Sequence, residues 1–135
     1  MKLTKVRLTT EASNRLRFVA GKTGLTPNLL CRIGFCLSLA DAGIPNPNDF
    51  PEEDREFNRY TLLGEFDPLF VALLRARCHK DGIDLAHLPQ YFRAHVNRGV
   101  ILLQHRVRGL SDLAALVPDC VADVEKRQGP DERAG

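Results

Sequence analysis

Lys5-Val6-Arg7-Leu8-Thr9-Thr10-Glu11 opens the stretch that decides the fold, and Gly21-Lys22-Thr23-Gly24-Leu25-Thr26-Pro27-Asn28 marks its midpoint. Val6 and Leu8 alternate with Lys5, Arg7 and Thr9, the period-two pattern of a short strand with one face turned to a core. Residues 3–9 are therefore expected as a strand, with Lys5, Arg7 and Thr9 on its outer face. Thr9 or Thr10 supplies a hydroxyl to cap the following helix, and Glu11 sits in its first turn. Ala12, Leu16, Val19 and Ala20 recur at three- and four-residue steps, so this helix runs to about Lys22, with Gly21 and Gly24 bracketing its stop. Thr26-Pro27 starts a second helix, since proline's missing N–H costs nothing at the first helical position. That helix is expected to reach about Ala42, with Leu29, Leu30, Ile33, Leu37 and Ala40 on one face. Gly34 and Ser38, four residues apart, would let another helix approach closely.

Outward from this unit, Ile44-Pro45-Asn46-Pro47-Asn48-Asp49-Phe50-Pro51 excludes a helix or central strand, and the acidic Glu52-Glu53-Asp54 follows. Residues 44–66 read as an acidic, proline-rich loop with a short extended piece at Tyr60–Leu63. Asp67-Pro68 repeats the cap-and-proline pattern and predicts a helix to about His79 that buries Leu69, Phe70, Leu73 and Leu74. Phe92, Val96, Val100, Leu103 and Val107 lie nearly in line on a helix over about Leu88–Val107, and Ser111 caps a short last helix through Val117. The fold class is thus mainly α. Residues 1–117 read as a single domain, made of a strand-helix-helix unit (3–43), the loop (44–66) and a helical extension (67–117). Residues 118–135 lack apolar periodicity and are expected to be a disordered tail.

The 135 residues carry a net charge of only +2, but the charge is unevenly placed. Seven bases against Glu11 alone fall in residues 1–40, whereas residues 41–67 hold eight acids and two bases. A basic unit beside an acidic loop makes a directed field suited to a polyanion. The amino-terminal segment has charge but no apolar run behind it, and no uncharged stretch approaches a membrane span, so a cytoplasmic protein with no membrane partner is expected. Cys31, Cys36, Cys78 and Cys120 show no metal-ligand spacing and read as small apolar residues.

The order basic strand, helix, glycine-marked turn, capped helix resembles the ribbon-helix-helix fold of Arc- and MetJ-like repressors. A lone strand leaves backbone groups unpaired, and pairing with the same strand of a second subunit would make a two-stranded ribbon able to enter the DNA major groove. Packing of the strand on its own subunit is the competing arrangement. The free N–H groups near Thr26 and Asn28, with Lys22 just before them, are suited to a phosphate, and Arg15 and Arg17 extend the basic face. Asn58-Arg59-Tyr60 is compatible with a phosphate contact through Arg59, with pinning of the acidic loop, or with a subunit contact.

Thr26-Pro27-Asn28-Leu29-Leu30-Cys31-Arg32, the stretch from Glu56 to Asp67, and Ala94-His95-Val96-Asn97-Arg98-Gly99-Val100 together resemble the DndE family of the bacterial DNA phosphorothioation system. The resemblance spans roughly residues 3–117. It implies a homo-oligomer, expected to be a tetramer, that binds double-stranded and preferentially nicked DNA. It also implies a restriction-modification-like defence role. The sulfur chemistry would belong to partners: a cysteine desulfurase, an iron–sulfur protein and an ATPase-like component.

Catalysis by this chain is not expected. His95 and His105 are ten residues apart on one helix, about 15 Å, too far to share a metal. Asp67 reads as a cap, Cys78 and His79 point to different helix faces, and neither a phosphate-binding loop nor a cluster-binding cysteine spacing is present. The expected site residues are therefore DNA contacts only, namely Lys5, Arg7, Arg15, Arg17, Lys22, Thr26, Asn28 and Arg59, with no cofactor and no metal. The competing functions are a ribbon-helix-helix transcriptional regulator and a protein–protein assembly scaffold, for which the acidic segment 49–56 would suit a basic partner.

Overall fold

A computed structural model describes residues 1–116. The expected disordered tail, Cys120 and the end of the expected last helix lie outside the described residues. The chain order is β1 (Lys5–Arg7), α1 (Thr10–Thr23), α2 (Pro27–Ala40), β2 (Glu56–Asn58), α3 (Arg59–Leu63), α4 (Asp67–Lys80) and α5 (Leu88–Arg106), with 3-10 turns at Pro47–Asp49, Gly64–Phe66, Leu85–His87 and Leu110–Leu116. The sequence-predicted helices are present. Thr9 and Thr26 cap α1 and α2, their hydroxyls accepting from Ala12 N–H and Leu29 N–H. Gly24, at φ +75°, closes α1 in the left-handed conformation that glycine adopts without strain. No helix among the described residues is long and apolar enough to cross a membrane.

The strand departs from the ribbon expectation. β1 pairs antiparallel with β2 of its own chain, with Lys5 opposite Asn58, Val6 opposite Phe57 and Arg7 opposite Glu56. Leu8 N–H to Arg55 C=O (2.9 Å), Asp54 N–H to Leu8 C=O (3.0 Å) and Arg59 N–H to Thr4 C=O (2.8 Å) extend the pairing on both sides. The same chain thus supplies the partner that the sequence reading sought from a second subunit. The extended piece lies at Glu56–Asn58 rather than Tyr60–Leu63 because the Asn58 carboxamide accepts from Tyr60 N–H and Thr61 N–H and switches the chain into helix. Thr9 is not on the outer face. It is 6% exposed, and its N–H donates to the Asn97 carboxamide oxygen at 2.8 Å. The Asn97 amide in turn donates to Arg7 C=O and Arg93 C=O, tying the β1–α1 junction to α5.

The centre of the molecule is the crossing of α2 and α5. Gly34 and Gly99 meet backbone to backbone: a Cβ on Gly34 would lie 2.7 Å from the Gly99 carbonyl carbon and oxygen, and one on Gly99 would fall closer still onto the Gly34 carbonyl. One turn along, Ser38 meets His95, and Phe35 packs against Phe92 and Phe70 with ring centroids 5.4 and 5.7 Å apart. This explains a rotation of α2 relative to its large apolar residues. Leu30, Cys31, Gly34, Phe35 and Ser38 face inward, while Leu29 and Ala40, expected in the core, are exposed. On α4, Phe70, Val71, Leu74, Arg77 and Cys78 turn inward, and Leu69 and Leu73 are 54% and 42% exposed. The inward Arg77 sets that rotation. Its guanidinium pairs with Asp81 and donates to the carbonyls of Leu39, Asp41, Ala42 and Gly43 at the end of α2.

Arg98 Nε donates to Ser38 Oγ at 2.8 Å, and the same hydroxyl lies 2.8 Å from His95 Nδ1. His95 Nε2 finds no partner among the described residues. Burial, with the nearby Arg98 and Arg77 guanidiniums outweighing Asp81, pushes the imidazole down from 6.5 to about 4.

The glycine crossing makes a paired prediction. Gly99→Ala should destabilise by about 3 kcal/mol, since neither backbone can yield, whereas Gly21→Ala, where a Cβ meets nothing within 4 Å, should stabilise by about 0.5–1 kcal/mol. Urea unfolding of the two variants checks both. His95 predicts a pH dependence. The unfolded chain binds its proton near 6.5 and the folded chain only near 4. Stability is therefore complete above 6.5 and falls as acid is added through that window, by up to about 3 kcal/mol. His95→Gln should flatten this portion of the stability–pH curve.

Candidate nucleic-acid interface

Because Ala12, Leu16, Val19 and Thr23 turn inward, α1 presents Asn14, Arg17, Phe18, Gly21 and Lys22 to solvent. Arg15 lies at the edge of this face. It pairs with Glu11 (2.8 Å), donates to the Gln104 carboxamide oxygen (2.5 Å) and approaches His105 Nε2 (3.3 Å). Those contacts join α1 to the end of α5, where His105, Arg106 and, just beyond, Arg108 are exposed. Arg106 and Arg108 were not singled out from the sequence. They sit about ninety residues away from α1, and only the packing of α5 along α1 brings them near. Cations at the ends of both helices also complement the helix dipoles.

The expected site residues do not all gather here. Arg17 and Lys22 share the outer face of α1, and Lys22 Nζ lies 5.6 Å from the Phe18 ring centroid. Thr26 begins α2 just beyond, but its hydroxyl is engaged by its own helix, and Asn28 is half-buried. Lys5 and Arg7 stand at the opposite end of α1, which spans about 21 Å at its 1.5 Å rise per residue. Both face Glu56, at 3.7 and 3.5 Å. Such exposed pairs bind weakly, yet they leave that strand with one net positive charge rather than two.

Arg59 is not a surface cation at all. It is 7% exposed and forms a two-pronged pair with Asp67, Nε to Oδ2 at 2.8 Å and Nη2 to Oδ1 at 2.9 Å, while Nη1 donates to Met1 C=O and Leu3 C=O. Asn58-Arg59-Tyr60 thus straps the amino terminus to the start of α4, and Asp67 is a partner for Arg59 rather than a cap. Arg32, Arg93 and Arg98 are committed in the same manner, to the carbonyls of Leu62, Phe50 and Ser38.

A family model described as DNA sulphur modification protein DndE matches residues 5–109. The chain belongs to the DndE family. Among solved structures, the crystal structure of DndE from Escherichia coli B7A, involved in DNA phosphorothioation modification, aligns with a TM-score of 0.61 at 23% identity, covering 76% of this chain and 99% of that one. A DndE variant with glycine-to-lysine substitutions, also involved in DNA phosphorothioation, aligns with a TM-score of 0.57 at 22% identity, covering 75% and 99%. At these identities the likeness concerns the fold. No curated protein matches.

In this DndE chain, Arg59→Ala should destabilise by roughly 3–5 kcal/mol, because Asp67 and two carbonyls would be left buried without their donor. A loss of nucleic-acid affinity without a fall in the unfolding midpoint would show instead that Arg59 acts at the surface.

Proposed function

We propose that this DndE chain is a non-catalytic DNA-binding subunit of a DNA phosphorothioation complex, holding intact or nicked duplex by its phosphates. The observation that carries the reading is that the packing of α5 along α1 brings unpaired cations of the two helices together. Arg32, Arg59, Arg77, Arg93 and Arg98 are consumed by carbonyls and carboxylates of the fold. Arg17, Lys22, Arg106 and Arg108 have no acid within 4.0 Å among the described residues, and Arg15 links the two helices that carry them. The beginning of α2, near Thr26 and Asn28, lies just past Lys22 and adds N–H groups to the same side. Lys5 and Arg7 would contribute less, being opposed by Glu56. Contacts of this kind position a protein on duplex DNA without reading its sequence.

A non-enzymatic role is supported by the placement of the reactive groups. Cys31 and Cys78 are buried, the Cys31 thiol pushed up to about 12 by burial, and His95 is enclosed. The sulfur chemistry then falls to the cysteine desulfurase, iron–sulfur protein and ATPase-like partners, in the cytoplasm, with this chain assembled as a homotetramer. A scaffold role has one observation in its favour: Leu73 and Cys36 are exposed along a cavity of about 400 Å³ between α2 and α4.

Duplex affinity should fall steeply between about 50 and 200 mM salt. Replacing Arg17, Lys22, Arg106 and Arg108 one at a time by Ala should lower the log–log salt slope by about 0.9 each. Lys5→Ala and Arg7→Ala should lower it less. A salt-independent affinity would refute phosphate contact.

A further inference from the structure

Phe18 is 45% exposed in the middle of the cationic face of α1. Its four helical neighbours, at three and four residues on either side, are Asn14, Arg15, Gly21 and Lys22. None is apolar, so the ring does not belong to an apolar patch on its own helix. The surface at Gly21 is open, since even a Cβ there would meet nothing within 4 Å, the Phe18 ring included. Lys22 rests over the ring face at 5.6 Å, and Arg17, beside it, donates to Asn14 Oδ1. A π-face that is partly open and ringed by flexible cations matches the recognition of a nucleobase whose phosphates are held nearby.

We infer that Phe18 is a stacking platform for an unstacked nucleobase of the bound DNA. A base within a continuous duplex presents only its edges, so the ring has a partner only where the stack is interrupted, as at a gap, a nick or a strand end. On binding, the phosphates flanking the interruption would draw the Lys22 ammonium off the ring and free that face for the base. Arg17 would hold the adjoining backbone. The inference rests on the DNA-binding reading given above and names the side chain through which a preference for interrupted duplex would arise.

The test compares an intact, covalently closed circular duplex, which has no strand ends, with the same circle carrying a one-nucleotide gap, 2-aminopurine standing opposite the gap, each titrated at two salt concentrations with the full chain. Solution mass is measured alongside. The wild-type protein should bind the gapped duplex about tenfold more tightly, within the range of one base–aromatic stack, and should change the 2-aminopurine fluorescence. Phe18→Ala should lose both the preference and the fluorescence change, while its intact-duplex affinity, salt slope and mass stay as they were. Phe18→Trp should keep the preference. A gap preference that survives in Phe18→Ala overturns the inference, as does salt-dependent binding of both duplexes with no preference in the wild type. A fall in mass on Phe18→Ala also overturns it, because the ring would then belong to a contact between copies of the chain. Wild-type protein that binds neither duplex in a salt-dependent way removes the DNA-binding reading itself.

Discussion

The contact of Gly34 with Gly99 sets the dimensions of the whole molecule. With no side chain between them, α2 and α5 approach until their backbones touch, and every other placement follows from that distance. Ser38 reaches His95, Phe35 is brought between Phe92 and Phe70, and α2 rotates so that Cys31, Gly34 and Ser38 share the core face with Leu30 and Phe35. Leu29, displaced by this rotation, comes to the surface. A close crossing of this kind also leaves little space for polar groups to find water, so most groups near it satisfy one another, and His95, whose Nε2 is without a partner among the described residues, stays uncharged.

Arginine completes what the crossing begins. The end of α2 and the loops after it leave carbonyls with no helical partner, and a guanidinium can serve several at once. Arg77 gathers four of them, Arg98 holds Ser38 and Gly43, and Arg93 and Arg32 close the loops on either side. The acidic segment plays the complementary role. Glu56 lies across β1, Glu52 approaches Arg93, and Glu53 accepts from Thr10 N–H. The strong charge contrast between the first forty residues and the next thirty is therefore spent partly within the fold, and Arg17 and Lys22 of α1, with Arg106 and Arg108 at the end of α5, are among the exposed cations that keep no acid beside them among the described residues.

Much of this was legible in the sequence. The helices announced themselves through the caps Thr9 and Thr26, through Pro27 and Pro68 in first turns, and through apolar spacing, and the Gly34–Ser38 pair foretold the close crossing. Three things were not legible. The partner of β1 lies some fifty residues away in a segment of mixed aromatic and polar residues, where period and composition give no strand pattern. The inward faces of α2 and α4 are built on Gly34, Ser38 and Arg77, residues that a count of large apolar side chains passes over. The burial of Arg59 depends on carbonyls of Met1 and Leu3, which no local pattern can place beside it. For the candidate interface, the half on α1 could be read from the sequence, whereas Arg106 and Arg108 belong to it only through the packing of α5.

Asn97 and Arg59 have a bearing on how the chain matures. Both reach back to the first ten residues, one through Thr9 and Arg7, the other through Met1 and Leu3. During synthesis the leading segment can therefore meet Arg59 and β2 after about sixty residues, whereas Asn97 leaves the ribosome only when nearly a hundred have been made. The strand-helix-helix portion is not a miniature that is complete by itself: its opening residues are secured from two later parts of the chain.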